Sequence, residues 1–294
     1  MILFLKSLSF LLGHLPSFIY YPLSRGLGYL AYSMDKKRRR IVKENLDRAF
    51  GDKLDAAEKC RIAKEVYKNL AVMLIEFLRI PWLKKDRIDR FVTCEGLDHL
   101  EAALERKKGV ILLTGHFGNW ELLATYFGLI GYPLDPVIRE LDNPGVDGFV
   151  SWVRTSTSNK MIPKNRSMRK ILKRLSENGI VTILLDQNVA LVEGVFVDFF
   201  GTPACTNKGP ALIAAASGAA VVPAFIVREG RRHRLIINEP IETIDTGDRE
   251  KDVVENTRRM TKVIEDMARA HPEQWFWVHR RWKTRPPAEG AGLT

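Results

Sequence analysis

The residues best suited to chemistry in this chain are His116 and Glu121, set in Gly115-His116-Phe117-Gly118-Asn119-Trp120-Glu121-Leu122-Leu123. An imidazole with a nearby carboxylate is a minimal general-base pair. The carboxylate holds one ring nitrogen as its N–H, which leaves the lone pair of the other free to take a proton. In one continuous helix the two side chains would lie about 140° apart and could not easily meet. The stretch therefore reads as a turn that becomes a helix. Gly115 and Gly118 permit the turn, Asn119 is a favourable N-cap, and Leu122, Leu123, Tyr126 and Phe127 follow at helical spacing. His116 is expected in the loop above a strand terminus, with Glu121 bracing it from the first helical turn. The plainer alternative is a strand-end histidine and a glutamate favoured by the helix dipole. The glycines, the cap and the preceding apolar run together favour the first.

The elements that must position this pair alternate between strand and helix. The apolar run 109–114 reads as a parallel strand and 119–130 as the helix after it. Strand Leu134–Ile138, helices 144–157 and 166–177, strands 180–185 and 195–199, and helix Gly209–Ser217 come next. Strands 220–227 and 235–237, a helix over about 250–270 and a strand at 275–279 complete the pattern. This predicts an α/β layered domain, with a mostly parallel, mixed central sheet flanked by helices. Ligands bind such sheets at the carboxyl ends of strands, where His116 and Asp186 both fall. Upstream, 41–80 is helical with a break at Gly51 and a stop at Pro81-Trp82.

Further polar groups cluster near those strand ends. Arg139 follows the strand at 134–138 and suits a phosphate, or simply a surface turn; Arg154 lies on the next helix. Asp186 follows five apolar residues and is either exposed there or converges on His116. Thr206-Asn207-Lys208-Gly209-Pro210 places a cation and free amides at a helix N-terminus, an anion site or a cap. Backbone amides at Gly118 or Asn119 suit a developing oxyanion. Near the end, Trp275, Phe276, Trp277 and Trp282 read first as core. Arg280, Arg281, Lys283 and Arg285 read as cations for acidic headgroups or an acidic carrier.

With 294 residues, 46% of them hydrophobic, the chain can bury a large core. Cys60, Cys94 and Cys205 are scattered and odd in number, which argues against a disulfide framework or a zinc site. A net charge of +11 calls for an anionic partner. Nucleic acid is the weakest candidate, because no helix-turn-helix, RNA-binding aromatic motif or zinc finger is visible. Residues 1–35 are apolar, with tyrosines and with breaks at Pro16 and Pro22. They read as two short membrane-embedded or interfacial helices hinged between those prolines rather than one spanning helix. A signal peptide fits poorly, since no small-x-small site precedes the basic block. Lys36-Lys37-Arg38-Arg39-Arg40 would bind anionic headgroups and stay cytoplasmic. The domain proper is expected over 36–286, with a disordered tail at 287–294.

The nonapeptide at 115–123, Asp186-Gln187-Asn188, and the segment His271-Pro272-Glu273-Gln274-Trp275 through His279-Arg280-Arg281-Trp282-Lys283-Thr284-Arg285-Pro286 carry a resemblance. Over about 36–286 the chain is similar to the lipid A late acyltransferases, a branch of the His-x4-Asp/Glu glycerolipid acyltransferase superfamily. The resemblance implies a membrane enzyme of the bacterial inner membrane, active on its cytoplasmic side. It would move an acyl chain from acyl carrier protein, or acyl-CoA, to a hydroxyl of a lipid A precursor or related glycolipid, without cofactor or metal. It implies His116 and Glu121 as the catalytic pair, with Asn119, Arg139, Arg154, Asp186, Lys208, Arg280 and Arg281 around the substrates. Two departures stand out: Glu140 replaces the family's usual proline, and the spacing from Arg154 to Asn159-Lys160 differs by about a residue. No Gly-x-Ser-x-Gly elbow is present for a covalent acyl intermediate. A glycerophosphate or lysophospholipid acyltransferase is the second reading, weakened by the lack of Glu-Gly-Thr-Arg and by Phe199 where an arginine is expected. A non-catalytic basic membrane-binding protein is the third.

Overall fold

Five consecutive residues, Val110–Thr114, are all buried, as expected of a strand covered on both faces. They sit at the centre of the sheet in the computed structural model, which describes residues 1–139, 141–164 and 167–286. The expected tail at 287–294 lies outside the described residues. The helices, in chain order, are α1 (Ile2–His14), α2 (Ser17–Met34), α3 (Lys36–Phe50), α4 (Ala56–Arg79), α5 (Lys85–Ile88), α6 (Leu97–Glu105), α7 (Trp120–Ile130), α8 (Pro144–Arg154), α9 (Met168–Ser176), α10 (Gly209–Ser217) and α11 (Arg249–Ala270). The strands are β1 (Val92–Glu95), β2 (Val110–Thr114), β3 (Leu134–Ile138), β4 (Ile162–Pro163), β5 (Ile180–Leu184), β6 (Gly194–Phe199), β7 (Thr202–Asn207), β8 (Ala220–Glu229) and β9 (Arg232–Ile237).

Seven strands form one sheet in the order β1-β9-β8-β2-β5-β3-β4. Every pairing in it is parallel except β8 with β9, so the sheet is mixed but mostly parallel. Alternate residues of β2 feed opposite cores. Ile111 and Leu113 pack with side chains from α3, α4, α9, α10 and α11, while Val110 and Leu112 pack with those from α6 and α7. This is the three-layer α/β architecture expected from the alternating pattern.

Several expected elements differ. The strand at 195–199 is real but pairs only with β7, in a separate antiparallel hairpin turned by Phe200 and Gly201 at φ +59° and +75°. No strand forms at 275–279. Trp277 and its neighbour Val278 are both buried, which a strand with one solvated face cannot give, and short turns (Trp277 N to Trp275 O, His279 N to Phe276 O) take its place. Helix α8 stops at Arg154, with one 3₁₀ turn beyond.

The N-terminal helices break at Pro16 alone; Pro22 lies inside α2, where it forfeits one intrahelical N–H bond without ending the helix. Helix α1 is fastened to α4 by Ser9, whose hydroxyl donates to the Leu78 carbonyl at 2.6 Å. Gly28 of α2 lies against the backbone of Tyr67 and Lys68. Outward, the same helices expose Leu3, Phe4, Leu11, Phe18, Leu23, Leu27 and Leu30. Among the described residues no helix is long and apolar enough to cross a membrane.

Candidate active site

Parallel register builds the site. Thr114, the last residue of β2, pairs with Leu184, the last of β5, and each chain then continues two residues to a polar side chain. Those residues are His116 and Asp186. The imidazole Nδ1 and the Asp186 Oδ1 lie 2.8 Å apart. The other carboxylate oxygen accepts from the His116 backbone N–H at 2.8 Å and from the Trp275 indole N–H at 2.9 Å. Asp186 is 2% exposed. Burial pushes its pKa up, but the imidazole and these N–H donors more than offset that and hold it below the ordinary carboxylate value. A buried carboxylate that stays charged fixes the proton on Nδ1 and leaves the Nε2 lone pair available. Gln187 Nε2 lies 3.3 Å from His116 Nε2, a donor for that lone pair until a substrate proton replaces it.

The expected pairing of His116 with Glu121 is therefore corrected. Glu121 turns to Arg154 of α8, whose Nε and Nη2 donate to its two oxygens at 3.0 and 2.5 Å. Trp120 and Phe276 pack against the imidazole, with ring centroids 5.0 and 5.7 Å away. Burial alone would lower the Arg154 pKa, and the carboxylate outweighs it, so the guanidinium is held firmly charged.

His116, Glu121 and Arg154 line one groove of about 840 Å³. Its walls are mainly apolar, with Met73, Phe77 and Ile80 from α4 and its end, Val150 from α8, and Ile171 and Ile213 from α9 and α10. Arg139, Lys164 and Lys208 add cations to the lining. Apolar walls with cations among them give the groove an amphipathic character.

The remaining expected site residues divide. Asp186 converges on His116; Arg139, Arg154 and Lys208 line the groove. Asn119 does not. It is fully buried, its Oδ1 accepts from Leu122 N at 3.0 Å to cap α7, and its Nδ2 donates to Glu76 Oε2 at 2.7 Å. Arg281 is likewise fully buried. Its Nη1 donates to the Cys205 carbonyl at 3.0 Å and its Nη2 to Thr206 Oγ1 at 2.5 Å, over the Phe199 ring. Burial lowers its pKa to about 10, and it clamps the β7 end rather than meeting headgroups. Arg280 is exposed and lies outside the groove lining. The Gly118 amide donates to the Gln274 carbonyl at 2.9 Å, so it is not free to receive an oxyanion. Sequence reasoning missed Gln187 and Trp275. The first was signalled only by its place after Asp186, and the second was taken for core alone.

The chain is similar to known proteins over nearly its whole length. A family model described as bacterial lipid A biosynthesis acyltransferase matches residues 2–284. The lipid A biosynthesis lauroyltransferase of Escherichia coli K12 is 32% identical over 281 residues, covering 94% of this chain and 89% of that protein. The palmitoleoyltransferase of the same organism is 29% identical, covering 90% of this chain and 85% of its own length. The myristoyltransferase is 24% identical, covering 91% and 82%.

Proposed function

Because this chain belongs to the bacterial lipid A biosynthesis acyltransferase family and is an acyltransferase, we propose that it moves a fatty acyl chain from a carrier thioester to a hydroxyl of a lipid A precursor. The observation that carries this reading is the His116–Asp186 pair at the wall of an apolar groove. His116 Nε2 takes the acceptor hydroxyl proton as that oxygen attacks the thioester carbonyl, and Asp186 stabilises the imidazolium that forms. The tetrahedral intermediate then collapses, the carbon–sulfur bond breaks, and the imidazolium returns its proton to the leaving thiolate. Glu121 acts through Arg154, holding the guanidinium against the groove so that its remaining N–H groups face the reacting carbonyl or a substrate phosphate. Arg139 and Lys208 supply further charge for phosphate groups of the acceptor or donor.

The exposed apolar side of α1 and α2 lies in the headgroup boundary, and residues 36–40 meet anionic lipid on the cytoplasmic side. Acyl carrier protein and acyl-CoA share the same thioester arm, and either serves as donor in this reading.

The test uses purified enzyme with acyl carrier protein or CoA thioesters, offered a lipid A precursor or a lysophospholipid in mixed micelles. Mass spectrometry is expected to show one added acyl chain on the lipid A precursor and none with His116→Ala. Acylation of the lysophospholipid alone would overturn the proposed acceptor.

A further inference from the structure

The turn that carries His116 is enclosed by a ring of buried hydrogen bonds drawn from distant parts of the chain. Asn119 Nδ2 donates to Glu76 Oε2 of α4 at 2.7 Å. The same carboxylate receives both terminal nitrogens of Arg228 of β8, Nη1 to Oε1 at 2.7 Å and Nη2 to Oε2 at 2.5 Å. Arg228 in turn fixes Gln274 through its own backbone, with Arg228 N donating to Gln274 Oε1 at 2.7 Å and Gln274 Nε2 donating to Arg228 O at 3.1 Å. The Gln274 carbonyl accepts from Gly118 N at 2.9 Å, and the Gly118–Asn119 peptide closes the ring. Glu76, Asn119, Arg228 and Gln274 are each at most 9% exposed, and among them only Glu76 and Arg228 are charged. None of these four lines the groove.

We propose that Glu76 and Arg228 are positioning residues for acyl transfer: their ion pair, acting through Asn119 and Gln274, sets the height and tilt of the turn that aims His116. Stability alone is a poor reason for a buried ion pair, since apolar replacements of similar volume are often neutral or stabilising. What an apolar pair cannot do is grip an asparagine amide. The ring fixes residues 118 and 119, and Phe276 N, two residues beyond Gln274, donates to the His116 carbonyl at 3.1 Å. The turn is thus held on both sides, and Trp275 between them holds Asp186. A misplacement of about 1 Å in such a constellation costs on the order of 10²-fold in rate. The proposal rests on His116 being the base.

Two variants test it with full-length enzyme. Glu76→Met combined with Arg228→Met removes both buried charges while preserving bulk. Asn119→Ser keeps a helix cap but cuts the link to Glu76. In each, kcat is expected to fall about 10²-fold while KM for the thioester changes little, in protein whose circular dichroism and melting profile show it folded. A double variant that does not fold leaves Asn119→Ser to decide. Wild-type kcat in folded Asn119→Ser, or a loss that merely follows the unfolded fraction, overturns the ring. His116→Ala is measured beside them. If it too were active, the base assignment would fail; if it is inactive while Asn119→Ser is not, only the ring fails.

Discussion

At the residue scale, one carboxylate has changed partners relative to the expectation, and this changes what each acid does. Asp186 is fully occupied by His116 and Trp275, and Glu121 is fully occupied by Arg154. If Glu121 works only by holding Arg154, removing either should cost nearly what removing both costs. Glu121→Gln, Arg154→Ala and the double variant are therefore expected to be non-additive in kcat/KM, with a coupling of about 1–3 kcal/mol. Simple additivity in a double-mutant cycle would separate their roles. The motif spacing did place Glu121 near His116, and both line the groove. Its partner was not legible, because Arg154 lies 33 residues away on another helix. Asp186 was placed correctly at a strand end, but only the adjacency of β2 and β5 shows that it faces His116.

At the element scale, the strand–turn–helix unit at 110–130 was read almost residue for residue, because its signals are local: an apolar run, two glycines, a cap and a helical stripe. Gly118 illustrates how tight the unit is. Its φ is +57°, and a Cβ there would lie 1.8 Å from the Ile226 carbonyl oxygen. Gly118→Ala is expected to destabilise the fold by more than about 1 kcal/mol and to displace the turn, seen as a lowered melting temperature with lost transfer. The C-terminal aromatics misled for the opposite reason. Their composition suits a strand, yet their backbone is recruited by long-range contacts: Gly118 N to Gln274 O, and Asn45 Nδ2 to the carbonyls of Trp277 and His279, both at 2.7 Å. The short strand β1 and helix α6, over 92–105, were not read, although Leu97, Leu100 and Leu104 recur at helical spacing.

At the scale of the whole molecule, two buried carboxylates tie stability to pH. Burial pushes Glu76 up, but the charges of Arg228 and His233 outweigh it and leave its pKa depressed, as His116 does for Asp186. Groups depressed in the folded state stabilise above their unfolded values of about 4 and lose that contribution as pH falls through the folded ones. The denaturant midpoint should therefore decline steadily below about pH 4. The decline should be shallower in the Glu76→Met/Arg228→Met protein, and an identical acid limb would show that Glu76 is not charged in the native state. The layered sheet and its order of helices were legible because alternating periods survive in sequence. The groove was not, because its walls come from α4, α8, α9 and α10 at once.

The account depends most on Asp186, not Glu121, holding the imidazole. The direct test is the single-turnover rate of acyl transfer by Asp186→Asn, with fold and donor binding verified. A loss of about 10²–10⁴-fold at unchanged donor affinity is expected from a misheld base. Transfer at the wild-type rate would contradict it.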